Sequence, residues 1–376
     1  MQFTINKEIF VKGLAKIQPI IQARNTMPIL AHVLLEVRNN ILILTATDLE
    51  VGMQSSYPVE GISDGAISVS AKKLFEIVKE MPNEDIRFCT KDNDWAEITS
   101  GKARFNIVGL SADDFPLFQT GKGDFINLGS DLLSDMIAKT SFAICTDETK
   151  YNLNGAFVQV SAGKIQFIRM ITTDGHRLAA VKKTITGAIP AALGKGVILP
   201  KKGVLELKKL AEEYPGSEIK LGFEDNSVVA YTSNTTLAMR LIDGQFPDYK
   251  TVLPVANDKK VAVDRGKLLS SLKRMVILSS EKAKGVMFEV QKGLIVMSAC
   301  TPEMGDCTED VEAGYEGDDL VINLNPKYLL EIASVIPDNS VELKFKDTTS
   351  PVIIKSATGD DFLAVLMPMR LNNATN

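Results

Sequence analysis

The sequence predicts an α+β fold of three similar domains, each an internally duplicated βαβββ unit. Three observations carry that reading. A helix-like stretch stopped by proline occurs three times, at Met81-Pro82, Tyr214-Pro215 and Ile336-Pro337. Each stop is followed by an alternating strand, DIRF at 85–88, EIKLGF at 218–223 and VELKF at 341–345, and each copy closes at a second proline, Phe115-Pro116, Phe246-Pro247 and Met367-Pro368. The openings also correspond: 3–17, 125–140 and 261–275 all read as a strand running into an amphipathic helix. Copies of this size are whole domains rather than solenoid repeats. They are placed at 1–120, 125–254 and 255–371, with a polar tail at 372–376 and Gly/Pro/Asn/Asp-rich linkers near 119–124 and 254–259.

Six helices follow from apolar residues spaced three and four apart, at 7–18, 72–80, 130–140, 201–213, 264–275 and 326–336. Their stripes include Phe10, Leu14 and Ile17; Leu74, Ile77 and Val78; Leu132, Leu133, Met136 and Ile137; Leu205, Leu207 and Leu210; Leu268, Leu272 and Met275; Leu329, Leu330 and Ala333. Asn6, Ser130, Asp264 and Asn325 stand at cap positions, with Pro326 in the first turn after Asn325. Between helices the period becomes two. HVLLEVRNNILILTAT at 32–47 predicts a hairpin over Asn39-Asn40, and 156–170 and 286–299 hold the same place in the other copies.

Composition narrows the function. The 376 residues carry a net charge of −5 with 45% apolar residues, an ordinary globular profile. No run reaches the apolar length of a transmembrane helix, and the first residues read as a strand rather than a signal peptide. Cys89, Cys145, Cys300 and Cys307 form no CxxC pair, so reduced thiols, a cytoplasmic location and no metal or other cofactor are expected. The acidic total argues against nucleic acid, but charge is segregated. The six helices hold 16 of the 42 Lys and Arg and only 10 of the 47 Asp and Glu. One reading is a basic surface of helices with an acidic exterior. The other is that lysine suits exposed helix faces.

No phosphate loop of the GxxxxGK type is present. The only histidines are His32 and His176. Asp174 and His176, in TDGHRL at 173–178, lack a serine or cysteine at nucleophile spacing, so catalysis is not expected there. The same position is TDLEVG (47–52) in the first copy and TPEMG (301–305) in the third. The loop is therefore a diverged element of a repeated chain, or a plain turn in which Gly175 takes positive φ.

The combination of TDGHRL, GQFPDY (244–249), YNLNG (151–155), MPIL (27–30), TATDLE (45–50) and VLMPMRL (365–371) resembles the bacterial sliding-clamp family, the beta subunits of DNA polymerase III, from Met1 to Leu371. The resemblance implies three DNA-clamp domains forming a ring as a head-to-tail homodimer around duplex DNA, with no catalytic role. It implies a pocket for short hydrophobic peptides made by Leu153, Thr173, Gly175, His176, Arg177, Leu178, Pro247, Thr251, Val252, Val365, Leu366, Met367, Pro368, Met369, Arg370 and Leu371. Partners through such peptides would be the replicative polymerase subunit, the clamp loader, translesion polymerases, mismatch repair proteins and ligase. Sequence-blind contacts to DNA are implied for Arg24, Lys72, Lys150, Tyr151, Lys201 and Lys202. The dimer would join Lys73, Ile77, Lys102, Arg104 and Phe105 to Ile277, Leu278, Glu303, Asp306 and Glu309. Thr251 stands where some members carry a basic residue, and Asn152 where some carry an aromatic one. Two rival classes stay open on the residues alone: an enzyme using Asp174 and His176, and a repeat scaffold that binds only proteins.

Overall fold

A computed structural model describes residues 1–21, 27–116, 118, 123–161, 163–224, 226–253, 257–279, 285–301 and 305–369. The first copy runs β1 (Gln2–Ile5), α1 (Lys7–Ile17), β2 (His32–Arg38), β3 (Ile41–Thr47), β4 (Val51–Pro58), β5 (Glu60–Ser63), β6 (Gly65–Ser70), α2 (Ala71–Glu80), β7 (Ile86–Thr90), β8 (Trp95–Ser100) and β9 (Ala103–Leu110). The second runs β10 (Asp124–Gly129), α3 (Ser130–Thr140), β11 (Gly155–Ser161), β12 (Gln166–Thr173), β13 (Arg177–Ile185), α4 (Ala191–Lys195), β14 (Val197–Pro200), α5 (Lys201–Glu213), β15 (Glu218–Phe223), β16 (Ser227–Tyr231) and β17 (Thr235–Arg240). The third runs β18 (Lys259–Asp264), α6 (Arg265–Leu278), β19 (Val286–Gln291), β20 (Leu294–Thr301), β21 (Gly305–Gly314), β22 (Leu320–Leu324), α7 (Pro326–Ser334), β23 (Ser340–Phe345), β24 (Val352–Ser356) and β25 (Phe362–Leu366). Each copy is thus βαβββ twice over, with β5 added to the first and α4 to the second.

Local chemistry accounts for most of these elements. Asn39 and Asn40 take φ of 50° and 63°, the left-handed pair a two-residue hairpin between β2 and β3 requires. Asn6 accepts from the N–H groups of Glu8 and Ile9, Asp264 from Lys267, and Asn325 from Lys327 and Tyr328. Ser130 departs from the expected cap. It is the first residue of α3, and both its N–H and its hydroxyl bond Ser217, tying the helix start to the segment before β15. Helix α6 runs three residues past its expected end, because no proline follows Met275. Leu205, expected in the core stripe of α5, is 37% exposed. The buried stripe is Val204, Leu207, Leu210 and Ala211, which leaves Leu205 on its shoulder.

The chain divides into two compact units. The first comprises Met1–Asp131, Gly187–Ala192 and Leu205–Leu241; the second Leu132–Thr186, Leu193–Val204 and the chain from Ile242 onward. The first unit holds one antiparallel sheet of 13 strands, in the order β10-β15-β16-β17-β4-β3-β2-β6-β9-β8-β7-β1-β5. The second holds one of 12, in the order β14-β11-β12-β13-β25-β24-β23-β18-β21-β20-β19-β22. These orders show why two units emerge from three copies. In the first unit β17 of the second copy pairs with β4 of the first, Thr235 opposite Ser55 through Met239 opposite Val51. In the second unit β25 of the third copy pairs with β13 of the second, Arg177 opposite Leu366 through Val181 opposite Phe362. Sheets therefore continue across the copy boundaries, and the second copy contributes one half to each unit. The cores beneath are apolar, with Phe3, Phe10, Phe88, Phe288, Phe345 and Phe362 fully buried.

Candidate functional site

The loop between β12 and β13 is a compact hydrogen-bonded turn. Asp174 Oδ1 accepts from the N–H groups of His176 and Arg177 at 2.9 and 3.1 Å. Thr173 Oγ1 accepts from Gly175 N at 3.1 Å and donates to Arg177 O at 2.6 Å. Gly175 takes φ of 91°, which a side chain would strain. The last strand fastens the loop from the other side, Met367 N donating to His176 O at 2.9 Å.

Beside this loop opens a cavity of about 220 Å³. Its lining brings together Leu153, Thr173, Gly175, Arg177, Leu178, Pro247, Thr251, Val252, Val365 and Met367, all expected from the sequence. Phe246, Asp248 and Tyr249 complete it. They were legible as neighbours of Pro247 within GQFPDY. Its floor is an apolar cluster of Leu153, Ile171, Leu178, Phe246 and Val365, stiffened by stacking of Phe246 on Phe157 at 5.0 Å. Asp248 fixes the far wall by accepting from Lys250 N at 3.1 Å, and the Thr251 hydroxyl donates to Asp248 O at 2.7 Å. The cavity is thus an apolar hole with few free polar groups, suited to aliphatic or aromatic side chains.

Other expected pocket residues stand elsewhere. Leu366 is fully buried, because strand alternation turns it away from the face that Val365 presents. Pro368 and Met369 are half-buried beyond the lining, with Met369 N bonded to Asn323 O at 2.8 Å. Arg370 and Leu371 lie outside the described residues. The Arg177 side chain is 8% exposed and fully engaged. It meets Asp174 at 3.0 Å, donates to Phe142 O at 2.6 Å, pairs with Glu331 and lies over the Tyr328 ring at 4.2 Å. Arg177 therefore braces the loop rather than offering a free charge to a ligand. His176 is exposed and turns to the opposite side of the loop, its ring 6.4 Å from that of Tyr328. Asp174 spends both oxygens on Arg177 and the turn, so the two residues form no acid–base pair.

His176 instead lines a second cavity of about 470 Å³, with Lys150, Lys201, Lys327, Tyr328 and Glu331. Here the structure gathers two of the residues expected to meet DNA, Lys150 and Lys201. Tyr151, also expected, is 55% exposed nearby in sequence, and Lys202 is half-buried. Lys327 and Tyr328 were missed, since one turn of α7 carries no distinguishing pattern in the sequence. Burial, then the Asp174 charge, push the Tyr328 phenol up. Lys72 lies in the other unit, exposed and 4.0 Å from Glu76. Arg24 lies outside the described residues.

The expected dimer residues sit on two strand edges and adjoining helices. Phe105 is 44% exposed on β9 and Val108 61%, while Ile277 is 71% exposed at the end of α6. Ile77 and Leu278 are half-buried, and Lys73, Lys102, Arg104 and Asp306 are exposed. Glu309 is already occupied. It accepts from Ser271 Oγ at 2.7 Å and pairs with Arg274, which holds its carboxyl below the usual range. Glu303 lies outside the described residues. On β9 and β21, Ala103–Val108 and Gly305–Glu312 pair on one side only among the described residues; the joins to β6 and β18 span two residues each.

The chain matches three family models in succession: the N-terminal domain of the DNA polymerase III beta subunit over residues 1–119, the central domain over 127–248 and the C-terminal domain over 250–370. It is 36% identical over 373 residues to the beta sliding clamp of Pseudomonas aeruginosa, covering 99% of this chain and 100% of that one. It is 33% identical to the beta sliding clamp of Caulobacter vibrioides over 99% and 100% of the two chains. Among solved structures, it matches a sliding clamp from Bartonella birtlesii bound to griselimycin with a TM-score of 0.93 and 31% identity, over 99% of this chain and 100% of that one. With its duplicated βαβββ copies and this full-length similarity, the chain belongs to the DNA polymerase III beta subunit family.

Proposed function

We propose that the chain is a DNA sliding clamp, a non-catalytic subunit that encloses duplex DNA as a head-to-tail dimer and tethers the replicative polymerase. The observation that carries this reading is a joint made twice and, among the described residues, left open once. At β4–β17 and at β13–β25, the third strand after one copy's first helix pairs with the last strand of the next copy. By the same rule, β21 of the third copy should pair with β9 of a first copy. Over 103–108 of β9 and 305–312 of β21 these strands pair on one side only among the described residues, and Phe105 and Val108 stand exposed on β9. Supplied by a second copy, that joint is a heterologous contact that covers both strand edges, and two chains joined head to tail in this way close a ring.

On this reading Lys72, Lys150, Lys201 and Lys202 attract phosphates without reading bases, which permits sliding. Retention is topological, and a tethered polymerase rebinds the template at high effective concentration. The 220 Å³ cavity receives hydrophobic peptides of the polymerase and, in turn, of the clamp loader, translesion polymerases, mismatch repair proteins and ligase. Among the described residues no helix is long and apolar enough to cross a membrane, and a cytoplasmic site of action fits replication. The test is retention on DNA after loading. The protein should stay on closed circular DNA and be lost when the circle is cut. Equal loss from both would leave a scaffold that binds only proteins.

A further inference from the structure

The loop that borders the peptide cavity is built a second time, in the first unit, and a second cavity accompanies it. Thr47 Oγ1 accepts from Leu49 N at 3.0 Å and donates to Val51 O at 3.3 Å, as Thr173 does with Gly175 and Arg177. Asp48 Oδ1 accepts from Glu50 N and Val51 N at 3.0 and 2.7 Å, as Asp174 does from His176 and Arg177. Arg240 N donates to Glu50 O at 2.8 Å, as Met367 N does to His176 O. The register agrees: Gly52 faces Ala238 where Leu178 faces Val365. At the corresponding place lies a cavity of about 110 Å³, lined by Leu49, Glu50, Gly52, Phe118, Met239 and Arg240.

Its chemistry differs from the first cavity in a directed way. Leu49 occupies the place of Gly175, with φ of 77° and 54% of its surface exposed. A leucine in left-handed backbone, facing solvent, costs conformational strain that a glycine would avoid. Phe118 forms one wall, close enough that a Cβ on Gly52 would meet its ring at 3.0 Å. Arg240 stands where the first site has Met367. Neither its guanidinium nor the Glu50 carboxylate is ion-paired among the described residues. The volume is half that of the first cavity, room for one side chain rather than a run of them.

We propose that this cavity is a second docking point for partner peptides, accepting one aliphatic side chain flanked by a carboxylate. The side chain packs against Leu49, Phe118 and Met239, and the carboxylate meets Arg240. Glu50 opposes a second acidic group, so the favoured segment carries one. The inference rests on the peptide-tethering reading above, and the two sites have separate reporters in Met239 and Met367. Protein labelled with ¹³C at the methionine methyls is titrated with N-acetyl-Leu-Asp amide. The Met239 resonance should move saturably, and at least fivefold more weakly with N-acetyl-Leu-Asn amide or in Arg240→Glu. Leu49→Asp should remove the response while the remaining methionine resonances show an intact fold. A silent Met239, or an equal response to both dipeptides, overturns the second site. A silent Met239 with a moving Met367 does so while leaving the first site standing.

Discussion

Lys183 and Asp361 meet at 2.5 Å in the second unit, joining β13 of the second copy to the turn before β25 of the third. Asp135 and Lys139 of α3 complete the group, Asp135 at 2.8 Å from Lys183 and Lys139 at 3.6 Å from Asp361. Beside it Lys182 N donates to Asp361 O at 2.8 Å, so charge and backbone fasten the same seam.

Partial burial pushes the Asp361 carboxyl up, but the Lys183 hydrogen bond and the Lys139 and Lys183 charges outweigh it and leave it below the usual carboxylate range. A carboxyl depressed in the folded state contributes stability above its unfolded pKa and loses it as pH falls through the folded value. Urea unfolding should therefore show stability declining from about pH 5 downward, where unfolded carboxylates begin to take up protons. Asp361→Asn should flatten that slope and cost at most about 1 kcal/mol at neutral pH, as a solvent-screened pair allows. A slope unchanged by Asp361→Asn would remove this seam from the acid response.

Arg177→Ala should be among the most damaging substitutions near the site. It strands the Asp174 and Glu331 carboxylates and the Phe142 carbonyl in partly buried surroundings. The expected loss is about 3 kcal/mol, typical of breaking a buried pair from one side. Arg177→Lys should recover only part of it, since one ammonium cannot reach three partners. Denaturant midpoints measure both.

Ile277 is the cleaner anchor for the proposed dimer, since 71% of it is exposed whereas Leu278 is half-buried. Ile277→Ala with Leu278→Ala should yield folded monomers by light scattering, at ~2 kcal/mol or more for each interface anchor. A dimer that survives dilution would place the interface elsewhere.

Met367 lines the cavity and is 39% exposed, whereas Pro368 does not line it. Met367→Ala should weaken a hydrophobic peptide about tenfold, the effect of one anchor worth ~1.4 kcal/mol. Pro368→Ala alone should do less, and removing 372–376 should change little. Fluorescence anisotropy of a labelled peptide separates these, and a peptide indifferent to Met367→Ala binds elsewhere.

Lys150→Ala with Lys201→Ala should weaken DNA binding uniformly across sequences. The slope of log affinity against log salt should fall by about 2, one for each lost phosphate contact. Sequence-selective loss would contradict positioning contacts of this kind.

The sequence alone determined the repeat, the six long helices and most of the strands, because proline stops, cap residues and apolar periodicity act within a few residues. EIKLGF at 218–223 is strand β15 to the residue, and Asn325-Pro326 starts α7 where expected. The cavity proposed to take peptides was expected from the family resemblance, and ten of the residues expected to form it line one hole. The remainder depends on which face a side chain takes once the strands are paired. Leu366 went inward, His176 turned to the second cavity, and Arg177 was spent on Asp174, Glu331 and Phe142. The pairing of β4 with β17 and of β13 with β25 joins segments well over a hundred residues apart, beyond the reach of local periodicity. That pairing also set Arg240 beside Glu50 and Leu49, where three unremarkable residues of the sequence became the rim of the 110 Å³ cavity in the first unit.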